Sequence, residues 1–378
     1  MNTVATRPRD RRRAKEIARP ALVYSAWTLV ATRLGYLVCA FGVNWVIATL
    51  KTDLRPGFFD VWLKWDAIVY LLIAQHGYSS PLTEPHATAF FPLLPLMLRL
   101  LLAAGFAGVV AELLIAAFGC LVAFWYLYRL AEEELGNGSG RRAVLYLALF
   151  PSAVFLVPGY TEPLFLAGAI AAFYYARRGA WGAVGLPAAV AVASRFEGVF
   201  LLTGVVAEFG VQFLRRGTRA RPPVGAAILS FVAALVPLAG YCAFLYRVRG
   251  DPFYFVVDER LGWDRRFVGP LQTLINSSHH GGFALELSAA VIGLVFTGWL
   301  LVRREWGYAV FVGATMSALL TSGYYLSIPR LLVTFFPIML LLADWTAASP
   351  RRHIAVLSAM IPLALTATFA YTHGWGFY

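Results

Sequence analysis

The stretch RPRDRRRAKEIARPALVYSAWTLVATRLGYLVCAFGVNWVIATL, residues 7–50, opens with seven basic side chains and runs on into a long apolar segment. A positive start before an apolar run is also the pattern of a secretory signal. The run from about Ala21 to Leu50 is too long for that, and no small-residue cleavage site ends it. It predicts a first transmembrane helix with a cytoplasmic start, preceded by a basic cytoplasmic tail over residues 1–20.

The same alternation continues down the chain. Apolar runs long enough to be read as spans lie at about 22–48, 109–130, 143–158, 163–177, 181–195, 197–214, 224–247, 284–302, 308–326, 330–346 and 354–372. The fold class is therefore an all-α polytopic membrane protein, one domain over 21–378, with about eleven transmembrane helices. Composition agrees. The 378 residues are 60% hydrophobic, 15% aromatic and only 14% charged, too little charge to cover a soluble surface of this size. The net charge of +12 comes from short clusters between apolar runs. That is the pattern of cytoplasmic loops, and no basic face suited to nucleic acid is expected. Arg141/Arg142, Arg177/Arg178, Arg215/Arg216/Arg219/Arg221, Arg303/Arg304 and Arg351/Arg352 all fall inside if the N-terminus is inside. This requires the segment 87–106, with Pro92, Pro95 and Arg99, to lie along the interface instead of crossing. Two long extracytoplasmic loops result, at about 49–108 and 248–283. Cys39, Cys120 and Cys242 sit singly in apolar runs, so neither a disulfide framework nor a zinc site is expected.

Chemistry belongs where polar groups meet the membrane boundary. In the first loop, Asp66, Tyr70 and Ile73 share one face of a helix, and Asp66 follows Trp65. A carboxylate near the bilayer needs a solvating partner or a function. Glu162 stands in the turn Pro158–Pro163. Arg195 and Glu197 either pair with each other or leave Arg195 free to take a phosphate. Arg330 either reaches for lipid headgroups or binds a lipid phosphate. Asp66, Glu162, Arg195 and Arg330 fall on one side under a single topology. A carboxylate can accept the proton of an attacking hydroxyl, and arginines can stabilise a leaving phosphate. Lys64 and His76 are further candidates for substrate contact. Asp258-Glu259 reads as a solvated loop, and His279-His280 lacks partners at ligand spacing, so no metal and no cofactor is expected.

These residues carry a resemblance. Lys-Trp-Asp-Ala-Ile-Val-Tyr-Leu-Leu-Ile-Ala-Gln-His-Gly-Tyr at 64–78 resembles the first-loop motif of the GPI mannosyltransferase II (PIG-V) family and its bacterial relatives. Phe-Phe-Pro-Leu-Leu-Pro at 90–95, Phe-Pro-Ser-Ala-Val-Phe-Leu at 150–156 with Tyr-Thr-Glu-Pro-Leu-Phe at 160–165, Gly-Asp-Pro-Phe at 250–253 with Trp263, and Arg330-Leu-Leu are similar to its later elements. Ser-Arg-Phe-Glu-Gly-Val at 194–199 stands where the family tends to read Thr-Arg-Pro-Asn-Gly, so acceptor recognition is expected to differ. The resemblance, over about residues 60–340, implies a GT-C-like fold with interfacial helices in the first loop. It implies an inverting transferase that moves a sugar, typically mannose, from a polyprenyl-phosphate donor to a glycan or glycolipid acceptor on the extracytoplasmic face. It maps the general base onto Asp66. Lys64, Tyr70, His76, Glu162, Arg195, Glu197 and Arg330 are the candidate substrate-binding residues. A transporter or lipid flippase is the alternative, marked by paired charges near midplane and internal repeats; no clear repeat is found. A non-catalytic scaffolding subunit is a third.

Overall fold

A computed structural model describes residues 8–50, 59–215 and 222–375. Arg216, Arg219, Arg221 and Phe58 lie outside the described residues, as does Arg7. Among the described residues there is no strand. In chain order the helices are α1 (Pro8–Leu50), α2 (Asp66–His76), α3 (Leu93–Ala103), α4 (Gly108–Glu134), α5 (Ser139–Ala148), α6 (Glu162–Arg177), α7 (Gly185–Ser194) and α8 (Glu197–Arg215). They are followed by α9 (Val224–Arg249), α10 (Tyr254–Trp263), α11 (Pro270–Ser277), α12 (Phe283–Val302), α13 (Trp306–Leu319), α14 (Ile328–Leu331), α15 (Pro337–Ala347) and α16 (Pro350–His373).

Six of these helices are long and apolar enough to cross a membrane: part of α1 (Glu16–Gly42), α4, α8, α9, α12 and α16. A seventh span is possible in length if α14 with its following turn and α15 are taken together, although they meet at a bend of 70°. The eleven expected spans therefore divide into two groups. The segments at 143–158, 163–177, 181–195 and 308–326 fold as helices too short to span by themselves, because Pro151, Gly179 and the Ser322–Gly323 turn interrupt them. The expected tail before residue 20 is helical from Pro8 onward.

Helix α6 shows why the short elements are still apolar. Fourteen of its sixteen residues are buried, so it faces protein all round. It packs against α4, α7 and α8. Gly168 allows this approach: a Cβ there would stand 2.5 Å from the Pro187 carbonyl of α7. Gly204 of α8 does the same against the Gly307 carbonyl at the start of α13, at 2.6 Å. Small residues at helix crossings let backbones meet closely, which matters most where lipid gives helices no hydrophobic reason to associate. Outer helices expose large apolar side chains instead, such as Leu229 and Val236 on α9 and Val38 on α1.

The two ends of α6 carry different charge clusters, about 24 Å apart at 1.5 Å per residue. At its C-terminal end Arg177 bonds Glu134 at 2.6 Å, Glu305 at 2.5 Å and Glu208 at 3.2 Å, and lies over the Tyr308 ring. This ties α4, α6, α8 and the start of α13 together. The N-terminal end carries the site.

Candidate active site

Three acids each occupy the first residue of a helix: Asp66 of α2, Glu162 of α6 and Glu197 of α8. Free backbone N–H groups and the helix dipole favour negative charge there. Arg195 lies in the extended link between α7 and α8, and Arg330 lies in α14. The five form one chain of ion pairs. Arg330 Nη1 donates to Asp66 Oδ2 at 2.5 Å and its Nε donates to Glu162 Oε1 at 2.5 Å. Arg195 Nη1 stands 3.0 Å from the same Glu162 oxygen, a charge contact without hydrogen-bond alignment. Arg195 Nε and Nη2 then grip both oxygens of Glu197, at 3.0 and 3.1 Å. The Arg330 guanidinium lies over the Tyr160 ring, 4.4 Å from its centroid, and near Phe155.

Glu162 is fully buried and is the hub of this chain. Asp66 is not: its side chain is 27% exposed, and Oδ1 has no hydrogen-bond partner among the described residues. Burial works against charge on Arg195, but the neighbouring carboxylates of Glu197 and Glu162 outweigh it and raise its pKa further. Burial, with the Asp66 charge added, pushes the Tyr70 hydroxyl up, so it stays a donor.

The backbone is strained beside both partners of the Asp66–Arg330 pair. Trp65, just before Asp66, has φ +49°, and Ser327, three residues before Arg330, has φ +62°. Such values are costly for residues with a Cβ, most of all for a bulky aromatic one, and need surrounding contacts to hold them. Ser327 has an identifiable clamp. Glu286 of α12 accepts the N–H of Ser327 and the N–H of Ile328, both at 2.9 Å. Tyr371 meets the Trp65 ring edge-on at 5.0 Å, and Trp62 stacks on Tyr371 in turn.

A cavity of about 610 Å³ opens over this chain. Asp66, Tyr70, Arg195, Glu197 and Arg330 line its inner part, and Phe91, Phe196, Phe255 and Trp263 form an aromatic wall. Helix α10 and the link that follows it add Glu259, Arg260, Arg265 and Arg266. Sequence reasoning missed these arginines; the signal was the charged run Asp264-Arg265-Arg266 beside Trp263. It also read Asp258 as solvated, and the structure corrects this. Asp258 is 1% exposed and accepts from the backbone and hydroxyl of Thr88, with His86 Nδ1 at 3.4 Å. It bonds the first loop to α10, so two segments about 170 residues apart in sequence form one wall. The other expected site residues lie elsewhere. His76 is exposed at the end of α2, and Lys64 does not line the cavity; its Nζ lies 3.7 Å from where a Cβ on Gly374 would stand. Partial burial lowers the Lys64 pKa. No group of three metal-ligating side chains occurs among the described residues.

Long apolar helices around a buried chain of carboxylates and guanidiniums, two of whose carboxylates (Asp66 and Glu197) border a large cavity, mark a multi-pass membrane protein with a polar cavity. Residues 46–217 match the family model described as Mannosyltransferase (PIG-V), so this part of the chain is similar to a family of glycosyl-transferring proteins. The matched region contains Asp66, Glu162, Arg195 and Glu197 and stops short of Glu286 and Arg330. No curated protein matches the chain.

Proposed function

We propose that this chain transfers a sugar, mannose, from a polyprenyl-phosphate donor to a hydroxyl of a glycan or glycolipid acceptor, with inversion, on the extracytoplasmic side of the cell membrane. The observation that carries the reading is Asp66 itself: an accessible carboxylate oxygen at the edge of a cavity, held in place through its other oxygen by a buried arginine. Asp66 Oδ1 accepts the proton of the acceptor hydroxyl. The hydroxyl oxygen forms a bond to the anomeric carbon from the face opposite the phosphate. The bond from that carbon to the phosphate oxygen breaks, and the electron pair leaves with the phosphate. Glu162 is a positioning residue, because it acts through Arg330, which holds Asp66 and itself borders the cavity.

The aromatic wall of Phe91, Phe196, Phe255 and Trp263 supports a sugar-binding role, since sugar C–H faces stack on aromatic rings while hydroxyls need polar partners. Purified protein reconstituted in liposomes should transfer mannose from mannosyl phosphopolyprenol to a mannoside acceptor. The anomeric configuration of the product, read by NMR, should be opposite to that of the donor. Retention of configuration would remove the single-displacement mechanism, and transfer from a nucleotide sugar alone would remove the lipid-linked donor.

A further inference from the structure

The inner guanidiniums are already committed. Arg195 and Arg330 each contact two carboxylates, and the inner chain holds three acids (Asp66, Glu162, Glu197) against two arginines. An anion arriving there meets an excess of negative charge and must break a buried ion pair to gain a guanidinium. The opposite holds at the outer part of the same cavity. Arg260 is exposed and has no partner among the described residues. Arg266 is 55% exposed, and its nearest acid, Asp264, lies 3.8 Å away and is 69% exposed. Arg265 is 27% exposed; its Nε is 3.3 Å from Glu259, and its Nη2 donates to the Leu326 carbonyl at 3.5 Å.

These side chains stand on a fixed backbone. Arg266 N–H donates to the Ser322 carbonyl at 3.2 Å, and Val268 N–H donates to the Thr321 carbonyl at 3.0 Å. Asp264 adopts φ +48° at the bend, which turns the chain back toward Gly323. Immediately outward, Phe267 is 88% exposed and Leu271 of α11 is 69% exposed. The free donors of Arg260 and Arg266, with the partly engaged Arg265 between them, lie beside an uncovered apolar strip, continuous with the cavity through Phe267.

We propose that Arg260, Arg265 and Arg266 form the binding site for the phosphate of an amphiphilic phosphate ester, whose apolar chain runs over Phe267 and Leu271. This rests on the donor reading above and moves phosphate recognition from the inner arginines to the second long loop. Guanidiniums suit the role because their planar donors match phosphate oxygens in pairs. Placing the phosphate at the outer end leaves the sugar toward the aromatic wall and Asp66. It also keeps the tail out of the polar chain.

The test is equilibrium binding of farnesyl phosphate to the purified full-length protein in nanodiscs, with farnesol and inorganic phosphate as separate ligands and phosphatidylglycerol as competitor. Farnesyl phosphate should bind at least about tenfold tighter than either partial ligand, and phosphatidylglycerol should not displace it. Because a lost charge-assisted contact is worth on the order of tenfold in affinity, the pair R265Q/R266Q should weaken farnesyl phosphate by at least that factor. The same pair should leave farnesol unaffected. The exposed single substitution Arg266→Gln carries little folding burden and should show a smaller loss in the same direction. Unchanged farnesyl phosphate binding in both variants overturns the site, and equal competition by phosphatidylglycerol overturns its assignment to a carrier phosphate. The parent reading is separated by Asp66→Asn. Retained turnover there removes Asp66 as base and leaves this site standing, whereas unchanged binding in R265Q/R266Q removes this site and leaves Asp66 untouched.

Discussion

Replacing Glu162 by Gln keeps the size of the side chain and removes the charge on which two buried arginines converge. The magnitude follows from the geometry. At contacts of 2.5 and 3.0 Å, and an effective dielectric constant of about 20, each attraction is on the order of 6 kcal/mol before desolvation is counted. Desolvation cancels much of this, and removing one partner of a buried pair costs about 3–5 kcal/mol. Arg330 retains Asp66 and Arg195 retains Glu197, so the loss should lie near the lower end, about 3 kcal/mol. In a chain of this length that corresponds to a fall in unfolding midpoint on the order of 5 °C, measured by intrinsic fluorescence of the purified protein. Turnover should fall as well, because a neutral amide oxygen holds Arg330 Nε less firmly than a carboxylate does, and the NH2 beside it adds a donor among guanidiniums, so the plane of Arg330 over Tyr160 is less well fixed. Glu162→Asp keeps the charge but is too short to meet both arginines, and should fall between wild type and Gln on both measures. A Gln variant with wild-type midpoint and wild-type turnover would refute the hub role of Glu162.

Other outcomes follow from single contacts. Glu286→Ala removes both backbone bonds that hold the strained Ser327 turn, worth about 1.5–3 kcal/mol each as charged acceptors. Glu286→Gln can keep only one, so thermal unfolding should rank wild type above Gln above Ala, with turnover in the same order; equal midpoints contradict the clamp. Gly159→Ala should destabilise by about 1–3 kcal/mol, since its Cβ would stand 2.3 Å from Glu112 Cδ and force that fully buried carboxyl end to move; an unchanged midpoint counts against that packing. Burial raises the Glu259 pKa, opposed by Arg265. An acid with a raised pKa loses its charge at higher pH than an ordinary glutamate, so Arg265 gains freedom as pH falls through that range. Glu259→Gln should therefore bind farnesyl phosphate more tightly than wild type near neutral pH, and the gap should narrow in acid; a gap that widens in acid opposes the pairing of Glu259 with Arg265.

The membrane class was legible because lipid imposes composition as well as pattern: apolar runs between basic clusters need no tertiary knowledge. The number of spans was not. α6 is as apolar as α9, yet α6 is buried in protein and α9 faces outward, and only packing distinguishes them. Asp66, Glu162, Arg195, Glu197 and Arg330 stand out in the sequence as charges gathered on one side of the membrane boundary. Their order in one ion-pair chain was not visible, because Asp66 and Arg330 lie 264 positions apart. Glu286 was missed since an acid in the first turn of a long apolar helix reads as a solvated end. Asp258 was misread for the same reason: its partner Thr88 belongs to the other long loop, and nothing local reports the burial.

The most direct measurement is the turnover of Asp66→Asn in reconstituted protein supplied with mannosyl phosphopolyprenol and acceptor. Asn keeps an oxygen for Arg330 but is no longer a base, so turnover should fall by about 10²–10⁴-fold while donor binding persists. Turnover within a few-fold of wild type would contradict the role given to this carboxylate.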